Sequence, residues 1–206
     1  MTKRLTYYKA TRPDGTDFYR GTIDYASALH TGDTVTHPHS DEKKYKDRPD
    51  TYLSISISPT DCTAFRWPAR LFEVEPIGKT ITAGRFLPNK RGVSALKVTR
   101  ELEPHELFGP QGVEIANLIT RAGSLTMVEI GAMAITQNFA WYTAWNAARY
   151  AARHAAWNAA WNAAWNAAWN AAGDAARNAA GALVVRDLVS VERFHVLYDP
   201  WASVMN

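Results

Sequence analysis

A chain of 206 residues, 47% hydrophobic and 21% charged, has ordinary globular composition and room for one full core, or a modest domain with an extended appendage. Its net charge of +3 is too small and too spread out to make nucleic acid the expected partner. The single cysteine, Cys62, rules out an intramolecular disulfide, residues 1–9 lack the apolar core of a signal peptide, and the one long low-charge stretch, 155–172, carries costly Asn amides that argue against a membrane span. A cytoplasmic protein is the expectation.

The first hundred residues read as short strands and turns. Residues 5–10 are β-prone, Pro13-Asp14-Gly15 is a turn signal, and 17–22 read as a returning strand. Residues 37–50 are too polar to bury and form a loop. Residues 51–57 then alternate, with Tyr52, Ser54 and Ser56 on one face and Leu53, Ile55 and Ile57 on the other. Ser58-Pro59-Thr60-Asp61 is a helix start, predicting a short helix to about Arg66. Strands are expected again at 69–75 and 94–100, and Pro104 opens a helical region that Gly109-Pro110 interrupts.

From Gln111 the period becomes helical, with an apolar stripe through Val113, Ile115, Leu118 and Ile119 that stops at Gly123. Thr126-Met127-Val128-Glu129 is a capping box, and the domain boundary is placed between Arg121 and Thr126. Beyond Gly181 an amphipathic helix continues through 182–188, and Ser190 caps a last helix that Asp199-Pro200-Trp201 closes.

From Trp141 to Gly181 the chain runs in tetrads, commonly Trp-Asn-Ala-Ala, with Arg149, Arg153 and Arg177, and Gly173 and Gly181, standing in the Trp position. Alanine favours the helix and no proline intervenes, so one continuous helix over 140–180, roughly 60 Å long, is predicted. Each tetrad slips about 40° around the axis. Trp157, Trp161, Trp165 and Trp169 therefore form one slanted ridge, and Asn158, Asn162, Asn166 and Asn170 a parallel one. A buried Trp hides about 150–250 Å², too much apolar surface to leave four in water. The ridge is expected to meet a second copy of the chain, with packing on the chain's own domain as the alternative.

Candidate chemistry is sparse. His37 and His39 lack a cysteine or a well-spaced carboxylate to complete a metal site, and Cys62 has no histidine partner in sequence. Tyr19-Arg20-Gly21, Tyr52-Leu53-Ser54-Ile55-Ser56 and Glu101-Leu102-Glu103 resemble the arginine, serine and glutamate order of ADP-ribosyltransferases. That resemblance implies an NAD site in which Arg20 holds the phosphates, Ser54 braces the pocket, and Glu101 or Glu103 binds ribose. Residues 52–61, 70–78 and 95–102 are also similar to an uncharacterised domain of phage and bacterial proteins that is often followed by short-period repeats. This implies a β-rich head joined to a repetitive assembly segment, and no particular activity.

The expected fold is α+β: a small β-rich N-terminal domain over 1–122, then a helical repeat region over 123–206 ending in a short C-terminal helix. The expected function is a non-enzymatic, phage-type interaction and assembly protein that forms homo-oligomers through the Ala/Trp/Asn helix, without cofactor or metal. Two other readings stand beside it. One is an NAD-binding enzyme using Arg20, Ser54 and Glu101 or Glu103. The other is weak nucleic-acid binding through Lys43, Lys44, Lys46 and Arg48.

Overall fold

The computed structural model describes residues 5–40, 51–62, 66–82, 88–135, 155–167 and 171–205. The chain is mixed α+β and divides into two compact units, one over 1–64 and 68–107, the other over 65–67 and 108–206.

The first unit is a seven-stranded antiparallel sheet. Its strands are β1 (Tyr7–Thr11), β2 (Thr34–Thr36), β3 (Leu53–Ser56), β4 (Arg70–Ile77), β5 (Ile81–Thr82), β6 (Lys90–Val93) and β7 (Ala95–Leu102), in the spatial order β2-β7-β4-β1-β3-β6-β5. β1 pairs along its length with β4, from Tyr7↔Val74 to Thr11↔Arg70, and touches β3 through Tyr8↔Ser56. The sheet's core contains Leu53, Ile55, Phe72, Val93 and Leu96, covered by Tyr25 of the helix α1 (Tyr25–Thr31). Asp24 starts α1 by accepting the Ser27 N–H at 2.9 Å, and Gly32 ends it at φ 75°, a left-handed turn that glycine adopts without strain.

Three local expectations change in this unit. Residues 17–22 are not a strand. The Asp17 carboxylate accepts backbone N–H groups from Arg20 (3.0 Å), Gly21 (2.9 Å) and Thr22 (3.4 Å), so a side chain takes the bonds that a ladder would have used. The helix start at Ser58 yields one 3-10 turn, Pro59–Asp61, and residues 63–65 of the expected helix lie outside the described residues. Ser56, expected beside the exposed Ser54, is fully buried, its hydroxyl donating to the Asp61 carbonyl under that turn.

The second unit is helical, with α2 (Gly112–Ala122), α3 (Met127–Ile135), α4 (Ala155–Ala167), α5 (Ala171–Val184) and α6 (Val191–Met205). The capping box at α3 forms as read: Glu129 accepts from the N–H and hydroxyl of Thr126, and Thr126 accepts from the Glu129 N–H. α2 belongs to this unit, because its stripe of Ile115, Leu118 and Ile119 joins the same core as α4 and α5. α6 runs through Pro200 rather than stopping there. Leu197 and Trp201, 1% and 4% exposed, bury on either side of the proline, and that packing outweighs the hydrogen bond it cannot donate. Among the described residues no helix is long and apolar enough to cross a membrane.

The tetrads form two described helices instead of one. In a single helix Trp157 and Gly181 would lie about 36 Å apart. Here the Trp157 indole rests on Gly181, and Trp161 meets Arg177, so α4 and α5 run side by side in opposite directions. The reason lies in the alanine pairs: small side chains make α5 a shallow rod that neighbours can approach from all sides. Ala175, Ala176, Ala179, Ala180 and Ala182 are all at most 2% exposed, with α2, α3, α4 and α6 packed around them.

Candidate functional site

The three described tryptophans of the ridge, Trp157, Trp161 and Trp165, meet different fates. Trp157 is 4% exposed and sits where a Cβ on residue 181 would come within 2.6 Å of its ring, so the glycine in the tetrad's first place is its seat. It is a side chain of the helical unit's core. Trp161 is half-buried and stacks on Trp157, centroids 5.7 Å apart. Trp165 is 43% exposed. Trp169 and Asn170 lie outside the described residues.

Arg177 joins the outer two rings. Its guanidinium lies 4.7 Å from the Trp161 ring centre and 4.5 Å from that of Trp165, and it forms an ion pair with Asp174 one turn earlier. A cation between two indole faces fixes both rings and places a polar edge on an otherwise aromatic ridge. Beside it the parallel ridge is open, with Asn158 and Asn166 exposed and Asn162 half-buried. α4 carries no charged side chain along its 13 residues. Among the described amides of the repeat Asn178 is the exception, 5% exposed within the helical core, its side-chain oxygen without a hydrogen bond.

Sequence reasoning missed the parts played by Arg177 and Gly181. The signal was present, since both occupy the Trp position of their tetrads, where a change of residue marks a change of neighbour.

In the sheet unit the residues of the NAD-type constellation are not brought together. Arg20 stands on the Asp17-clamped loop, its guanidinium 5.5 Å from the centre of the Tyr19 ring. Ser54 lies on β3 and Glu101 on β7, three strands apart in the sheet, a separation of about 14 Å from strand spacing alone. Glu101 is engaged by Arg70 through two bonds of 2.7 and 2.8 Å, and hydrogen bonding from Arg70 chiefly holds its carboxyl below the usual range. Glu103 is exposed beyond the end of β7.

The strongest perturbations in this unit surround β3. The Lys9 ammonium donates to the Ser54 carbonyl at 3.1 Å, 5.0 Å from the Tyr25 ring centre, and burial, aided by the Lys90 charge, lowers its pKa to about 8. The Lys90 ammonium donates to the Cys62 carbonyl at 3.2 Å, and burial lowers its pKa too. Burial pushes the Cys62 thiol up to about 11, which leaves it protonated and a poor nucleophile at neutral pH. The His37 and His39 rings lie 5.8 Å apart, and no group of three or more metal-type ligands stands together among the described residues. Lys43, Lys44, Lys46 and Arg48 lie outside the described residues.

No family model matches the chain, and neither a curated protein nor a solved structure matches it.

Proposed function

We propose that the chain is a non-enzymatic interaction and assembly protein of phage type, which self-associates through its Ala/Trp/Asn repeat. The observation that carries this reading is α4: a charge-free helix with Trp165 43% exposed beside Arg177 and with Asn158 and Asn166 exposed as well. Aromatic and arginine side chains are the usual anchors of protein interfaces. An Asn amide both donates and accepts, so a second copy of the same face can answer it. The tetrads that begin at Trp141 extend the same composition and, in this reading, the same function.

Light scattering of the intact chain over a range of concentrations tests the proposal. Self-association that weakens in Trp165→Ala supports it, and a monomer at every concentration overturns it. The NAD reading gains no observation from the sheet. NAD⁺ is expected to leave the melting temperature unchanged, and a rise abolished by Arg20→Ala would restore the enzyme as the better account.

A further inference from the structure

α5 carries the tetrad into the helical core, and there its second place sets a hydrogen-bonding problem. In α4 the second-place amides of Asn158 and Asn166 are exposed to water. Asn178 holds the same place in the Arg177 tetrad but is 5% exposed, among Ala175, Ala176, Ala179 and Ala180, which are at most 2% exposed. Its Oδ1 has no hydrogen bond, and neither has the buried Nε of Arg177. The first is an acceptor and the second a donor. Buried polar atoms without partners are destabilising, and folded proteins keep few of them. Side chains of successive helix residues do not face each other, so these two are poorly placed for a direct bond. Both flank Asp174, three and four residues earlier on the same side of α5, and its ion pair holds the Arg177 guanidinium there.

We infer that one ordered water molecule bridges Arg177 and Asn178, accepting from the Nε–H of the first and donating to the Oδ1 of the second. One water answers both atoms at once and spans a gap that a direct bond does not. The donor and acceptor together select this ligand. An anion would suit the guanidinium but be repelled by the amide oxygen, and a cation would suit the oxygen but be repelled by the guanidinium. A neutral molecule with a lone pair and an O–H satisfies both, and water is the smallest of these and the usual occupant of buried polar sites. The bridge has a part in the ridge. Arg177 is then held at two points, by Asp174 at Nη2 and by the water at Nε, which keeps the cation between Trp161 and Trp165. The site belongs to the helical unit alone and is independent of self-association.

A crystal structure of the full chain that shows ordered solvent tests the bridge. A density peak within about 2.7–3.2 Å of both Arg177 Nε and Asn178 Oδ1 is expected. A direct bond from either atom to another protein group, or no peak between them, overturns the inference. Asn178→Leu tests the energetics, because it replaces the amide with apolar atoms of similar size. With the bridge in place, the variant expels the water, leaves the Arg177 Nε–H alone and lowers the melting temperature. If Oδ1 is instead an unanswered buried carbonyl, leucine removes its cost and the melting temperature rises, which overturns the inference as well. Where the Asn178→Leu protein fails to fold, the crystal structure of the intact chain decides alone.

Discussion

Trp157 and Gly181 form a pair whose two halves are fitted to each other. Trp157→Ala is expected to cost about 3–5 kcal/mol, as for other large-to-small changes in a core, whereas Trp165→Ala on the exposed part of the same ridge should cost under about 1 kcal/mol. Gly181→Ala should destabilise the intact chain by about 1–3 kcal/mol, because a Cβ 2.6 Å from the indole forces a shift in a packed interior. In a Trp157→Ala background its sign should reverse, since the ring is gone and alanine favours the helix by about 1 kcal/mol over glycine. Urea denaturation of the four proteins of this cycle measures all three values.

Lys9 gives a second test at this scale. Its folded pKa of about 8 lies below its ordinary 10.5, so the protonated form is the one disfavoured by folding. Below pH 8 both states carry the proton and the destabilisation is fully present. It diminishes as the pH rises from 8 and has gone above 10.5. Cys62 has the opposite sign: its raised folded pKa removes stability as the unfolded thiol ionises, so wild-type stability alone mixes the two. The difference between wild type and Lys9→Met isolates the lysine. The variant's stability relative to wild type should be greatest near pH 7 and shrink steadily toward pH 10. Cys62 should also resist alkylation at pH 8 until denaturant is added.

At the scale of elements, some structure was legible and some was not, for identifiable reasons. β3, β4 and β7 show themselves by alternation, as at Leu53 and Ile55, and the capping box at Thr126 forms as read. β6, Lys-Arg-Gly-Val, has no pattern of its own and exists because β3 and β5 pair with it. The Phe18–Tyr19 run has strand propensity but sits in a loop, because the Asp17 carboxylate captures three successive N–H groups. Asp17→Ala should lower stability by about 1–3 kcal/mol through those lost bonds, with Asp17→Asn recovering part of it, measurable by thermal unfolding. The candidate face was legible as a ridge but not as a division of labour. A period of four looks the same from every tetrad, so it cannot say which Trp is buried, where the helix ends, or that Arg177 closes the stack.

For the whole molecule, the two units differ in what organises them. The sheet is held by long-range strand pairing around β1, while the helical unit is built around α5, a rod of alanines with neighbours on all sides.

The absence of charge along α4 has a consequence for solution behaviour. Two faces bearing only rings and amides neither repel nor steer one another at a distance, and the cation beside them is matched by Asp174. Association through that face should therefore be nearly indifferent to ionic strength, where contacts made by exposed lysines and arginines would fade as salt screens them.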